Sequence, residues 1–187
     1  MGREQRLLLV FVVLLLVHGS IAFFKGGSGD AQILADIGST HAREYVQWSY
    51  IEPKLASLTP NLTVDWLRNN PAAIDEYSTT VDWRGCDSRV YGLVNRSIIP
   101  IIEVGEGTTH CLPKYGNDIA DPNVIGRELY LAYQYRASRA AVRRYKNVVH
   151  MWQTENELNE AWLEGLGGQR RFDMFGAWRD WEFLTQV

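Results

Sequence analysis

The chain has 187 residues, enough for one ordinary domain with a core of its own. Hydrophobic residues make up 46% and charged residues 22%, a globular balance that excludes a disordered or collagen-like chain. A formal net charge of -3 provides no basic field for a polyanion, so nucleic acid is not an expected partner.

The chain opens with "MGREQR", which carries two arginines, then the apolar run "LLLVFVVLLLV", then "HGSIA" with its small residues. That order matches the charged, apolar and cleavage regions of a secretory signal peptide. Residues 1–22 are therefore expected to be removed, leaving 23–187 as the secreted domain with no stable membrane insertion. A retained signal-anchor is the alternative, because Ile21, Phe23 and Phe24 lengthen the apolar run toward the roughly 20 residues a spanning helix needs. Secretion makes Cys86 and Cys111 candidates for a disulfide, with two buried thiols as the other reading. It also gives meaning to two N-glycosylation sequons, at Asn61 and Asn95, with Asn61 favoured for its loop-like setting.

The stretch "DAQILADI" predicts a short helix capped by Asp30. "THAREYVQWSYIEP" reads as a strand ending near Trp48, followed by a turn at Glu52-Pro53. Residues 55–80 contain two prolines and show no sustained period, which predicts a long loop with one helical turn around "TVDWLRNN". Apolar positions at Cys86, Val90, Leu93 and Val94 predict a helix over 82–95. The run "SIIPIIEVGEG" suits a strand buried on both faces. Asp121-Pro122 predicts a helix start, with the helix running to about Tyr145. Its Arg136, Arg139, Arg143 and Arg144 read as a solvated face near a helix C-terminus. "VVHMWQ" reads as another strand, and a last helix is expected from about Phe172. With a first strand around "IAFFKG", alternating β and α units indicate a parallel α/β sheet or barrel.

In such folds polar groups that do chemistry collect at the carboxyl ends of the strands. Three strand ends here deliver them: Arg43 and Trp48; Glu103 and Glu106; Glu155, Asn156, Glu157 and Asn159. A purely structural account of Arg43 would instead pair it with Glu44 or Glu52. The four histidines, His18, His41, His110 and His150, show no ligand spacing, so no metal or other cofactor is expected.

The segment Trp152 to Asn159, "WQTENELN", resembles the end of the fourth strand in the clan A glycoside hydrolases, (β/α)8-barrel retaining enzymes in which an Asn-Glu pair provides the general acid/base. "REYVQWSYIEP" is similar to that clan's second-strand segment, and "IPIIEVGEG" to its third. The resemblance implies a partial TIM barrel of about four βα units acting on an oligosaccharide, polysaccharide or glycoside. It makes Glu157 the acid/base and Asn156 the partner of the sugar 2-hydroxyl, with Arg43, Trp48, Glu106, Trp152 and Asn159 around the substrate, Trp152 reading equally as an ordinary core residue. Leu158 stands where proline often follows the glutamate. Glu155 shares strand parity with Glu157 and competes for the acid role, but asparagine precedes only Glu157. A glycosidic oxygen leaves only when protonated, which is why one carboxyl must keep its proton near neutral pH. A full barrel typically takes about 250 residues, and the resemblance puts the nucleophile on a seventh strand. The expectation is a fragment that carries the acid/base half and is inactive alone; a secreted carbohydrate-binding module or pseudoenzyme is the alternative.

Overall fold

The protein is described by a computed structural model covering residues 26–105 and 111–154. The signal-peptide expectation, the last helix, and Glu106, His110, Glu155, Asn156, Glu157 and Asn159 all lie outside the described residues. The architecture is mixed α/β. Strands β1 (Gly26–Gly27), β2 (His41–Tyr45), β3 (Ile99–Val104) and β6 (Met151–Thr154) form one parallel sheet in the order β1-β2-β3-β6. Between them run α1 (Ala31–Asp36), α2 (Trp48–Ile51), α3 (Val64–Asn69), α4 (Pro71–Thr80), α5 (Arg84–Val94) and α6 (Arg127–Tyr145). A small antiparallel hairpin joins β4 (Lys114–Tyr115) to β5 (Asp118–Ile119). No described helix is long and apolar enough to cross a membrane.

Helix α1 starts as its sequence predicts: the Asp30 carboxylate accepts from the backbone N–H of Gln32 at 2.8 Å and of Ile33 at 3.1 Å. The predicted loop over 55–80 does hold the expected helical turn, as α3, but it also holds a second helix, α4, that was not expected. Thr63 caps α3 by accepting from Trp66 N at 3.1 Å, and Pro71 begins α4 at a position where its missing N–H has no partner to lose. The expected start at Asp121-Pro122 is also corrected. Asp121 does accept from Asn123 N and Val124 N, but this closes a single turn, and Gly126 (φ 88°) breaks it before α6 begins at Arg127. Trp48, expected to end a strand, opens α2.

The main core lies between one face of the sheet and helices α2 to α6. Ala137, Ala140 and Ala141 form a small-residue seam on α6, while Tyr130, Tyr133 and Tyr145 of the same helix are buried to 1% exposure or less. A second, smaller cluster of Leu34, Ala42, Leu93 and Ile98 seats α1 beside β2. The arginines of α6 are not simply a solvated face. Arg143 binds Asp75 of α4 at 2.7 Å and Arg144 binds Asp87 of α5 at 2.5 Å, so two of them tie the helical layer together. The Arg144 guanidinium and the Tyr145 hydroxyl hold the Asp87 carboxyl below its ordinary range, against a smaller opposing effect of burial.

Cys86 and Cys111 are two buried thiols with no disulfide between them, the second of the two readings the sequence left open. Cys86 sits on the inner face of α5 with 0% exposure, where a side chain packs as a small hydrophobe. Burial, only partly offset by Arg89, pushes its thiol up to about 11. The thiolate is the reactive form, so Cys86 is expected to resist a thiol reagent at pH 8 in the folded chain and to react on unfolding. Labelling of Cys86 by mass spectrometry within minutes under native conditions would contradict that.

Candidate functional site

Strand parity separates the two faces of the sheet. The register sets Glu44 beside Ile102 and Ile102 beside Trp152, and Ile102 and Trp152 pack into the core under the helices. The alternate positions therefore belong to the other face. There Arg43 lies beside Ile101, and Tyr45, Glu103 and Gln153 stand in one row across three strands. All three strands point the same way, so the chain leaves β2 at Val46, β3 at Gly105 and β6 after Thr154 at one end of the sheet.

At that end a carboxylate is held from two sides. Arg43 donates through Nε to Glu103 Oε2 at 3.0 Å, and its Nη2 binds the same oxygen. Gln47 Nε2 approaches Oε1 at 3.4 Å. Glu103 is 0% exposed, whereas the Arg43 side chain is 33% exposed and lies 5.0 Å above the Tyr45 ring. With its oxygens occupied by donors, Glu103 is suited to hold Arg43 and Gln47 in position rather than to pass a proton. The backbone joins in, since Val46 N donates to Glu103 O at 2.9 Å and ties the end of β2 to β3.

A second polar cluster lies nearer the helices. Three donors converge on Glu52 Oε2: Trp48 Nε1 at 2.8 Å, the Tyr77 hydroxyl at 3.0 Å and Arg136 Nη2 at 3.3 Å. The Arg136 guanidinium lies 3.9 Å from the centre of the Tyr77 ring and 4.5 Å from that of Tyr133. Burial first, and the Glu52 carboxylate second, push the Tyr77 hydroxyl well above the usual phenol range, so it stays a donor. A cavity of about 550 Å³ beside α1 contains Asp30, Glu44, Ser88, Arg89 and Arg96. Burial raises the Glu44 carboxyl there, opposed by Arg89 and by backbone hydrogen bonds involving Tyr45 and Gly29. Among the described residues no group of three or more His, Cys, Asp or Glu side chains is placed to hold a metal ion.

Of the residues named from the sequence, Arg43 stands on the face opposite the helices, but its partner is Glu103 and not Glu44 or Glu52. Glu44 has the wrong parity, and Glu52 already binds Arg136. Trp48 is a correction. It is 1% exposed and stacks on Tyr133 with centroids 5.4 Å apart and planes 13° from parallel, so it offers no open face to a sugar. Trp152 is likewise packed against the helix-side core rather than presented as a platform. Asn61 and Asn95 are both exposed. Sequence reasoning did not single out Gln47, Gln153 or the Glu52 cluster. The four-residue spacing from Trp48 to Glu52 on a helical turn was the one local signal for the last of these.

No family model matches the chain, and no curated protein matches it. Among solved structures it is similar to beta-glucosidase 2 of the fungus Trichoderma reesei, crystallised in complex with Tris, at 21% identity and a TM-score of 0.44. The likeness covers 74% of this chain and 25% of that one, so the chain spans about a quarter of its length.

Proposed function

We propose that the chain is the acid/base-bearing part of a secreted retaining glycoside hydrolase with a (β/α)8 barrel. The observation that carries the reading is the parallel register of β2, β3 and β6 with the Arg43–Glu103 pair on the face away from the helices. In a barrel that face is the interior, and the carboxyl ends of its strands are the site. The residues just past β6 are the Glu155-Asn156-Glu157 run, whose resemblance to the acid/base motif supports the assignment of Glu157. In this reading Glu157 protonates the glycosidic oxygen and Asn156 holds the 2-hydroxyl, a contact that strengthens as positive charge grows on the sugar ring. Arg43, fixed by Glu103, holds the site's carboxylates in place. Retention also requires a second carboxylate about 5 to 5.5 Å from the first. The resemblance puts it on a seventh strand, so turnover belongs to a longer polypeptide and this chain binds without cleaving.

The test is calorimetric titration of the 187-residue chain with a cationic iminosugar, alongside an assay for release of nitrophenol from aryl glycosides. The expected result is binding with no release, weakened about tenfold or more in Glu157→Gln, since a hydrogen bond to a charged group contributes about 1.5–3 kcal/mol. Binding that is equally tight in Glu157→Gln and unaccompanied by release favours a carbohydrate-binding module instead. Nitrophenol release that disappears in Glu157→Gln would show that the chain needs no second half.

A further inference from the structure

A cavity of about 650 Å³ opens on the helical side of the molecule, lined by residues 59–62 and by parts of α3, α4 and α6. No strand residue contributes to it, so it is separate from the strand-end site. Its volume falls within the range of about 300–1,000 Å³ usual for small-ligand pockets. Trp66 forms one wall and is 47% exposed, although a tryptophan is more often covered. Its backbone is held within α3: the main-chain N–H donates to Thr63 Oγ1 and the main-chain carbonyl accepts from Asn70 Nδ2 at 2.8 Å.

The polar groups around that aromatic wall define the ligand. Thr59, Asn61, Glu76, Thr80 and Arg136 bring hydroxyl, amide, carboxylate and guanidinium groups to the same cavity. Arg136 is already neutralised by Glu52, which leaves no excess of positive charge to attract a phosphate or a nucleotide. A neutral ring with an apolar face and hydroxyls at its edge matches both features, one stacking on the indole and the other exchanging hydrogen bonds with the rim.

We propose that this cavity binds a pyranose ring stacked on Trp66. Two sources share that chemistry: a free saccharide, and a glycan carried by Asn61, which lines the cavity and begins the sequon Asn61-Leu62-Thr63. Asn61 adopts φ 63°, a left-handed conformation that asparagine tolerates better than most residues.

Saturation-transfer NMR on the full chain made in a non-glycosylating host tests the proposal with glucose, mannose and N-acetylglucosamine as probes. At least one sugar is expected to show saturated ring C–H signals. These should fall fivefold or more in Trp66→Ala and largely return in Trp66→Tyr. Absence of saturation from all three sugars, or equal saturation in Trp66→Ala, overturns the proposal. The chain made in a glycosylating host then separates the sources. If the Asn61 glycan fills the cavity, free-sugar saturation is lost in the glycosylated chain and restored in Asn61→Gln. If a free saccharide is the ligand, saturation persists with Asn61 occupied. Iminosugar binding at the strand ends is followed separately, so the failure of either reading is seen without the other.

Discussion

Replacing Arg43 with alanine is expected to destabilise the chain by about 3 kcal/mol, measured as a shift of the urea midpoint at unchanged slope. The reason lies in how unequally the pair is buried. Glu103 has no exposure, so without Arg43 its carboxylate remains in the interior and loses the cation that binds two of its lone pairs. Arg43 itself is one-third exposed, which limits the loss to the low end of the range for broken buried pairs. Removal of the other partner tells the two burial states apart: in Glu103→Gln the Arg43 guanidinium can turn to water, and a smaller loss of about 1 kcal/mol is expected. Replacing both together, Arg43→Met with Glu103→Leu, removes the charge along with its partner and is expected to lie near the wild type. A double variant as unstable as Arg43→Ala would mean that the pair is not the source of the effect.

The same pair shows what could be read from the sequence and what could not. Alternation along β2 is visible in "HAREY", and it already excludes Glu44 as the partner of Arg43, because adjacent strand residues face opposite sides. The run of isoleucines in β3 is equally plain as a strand. The offset between the two strands, however, is set by tertiary packing and appears in neither, so the pairing of Tyr45 with Glu103 that brings the carboxylate beside Arg43 was not legible. Proline misled in both directions for one reason. Pro71 and Pro122 are each compatible with a first helical turn, but only the chain after Pro71 continues without a residue in a left-handed conformation, whereas Gly126 stops the turn after Pro122. Helix α6 was legible from its C-terminal end, at Tyr145. The ion pairs made by Arg136, Arg143 and Arg144 were not, since each partner is remote in sequence: Asp75 and Asp87 lie on other helices and Glu52 just past the end of α2.

Trp48→Ala is expected to destabilise the chain by about 3–5 kcal/mol, as for a large aromatic removed from a core. Two losses combine. The indole is almost fully buried against Tyr133, so its removal leaves a void, and its N–H no longer donates to Glu52 at 2.8 Å. Trp48→Phe separates them, because it keeps a ring against Tyr133 and removes only the donor. Glu52 retains Tyr77 and Arg136, so a loss of about 1–2 kcal/mol is expected there. A double-mutant cycle with Tyr133→Leu should show coupling of about 0.5–1.5 kcal/mol for the stacked pair. A sugar platform would behave in the opposite way: a tryptophan held for its open face can be cut to alanine with little change in stability, and only ligand binding suffers. An alanine variant with an unchanged urea midpoint would therefore return Trp48 to the candidate binding residues, and a midpoint shift of the expected size would leave Trp66, among the described residues, as the exposed tryptophan with a face to offer.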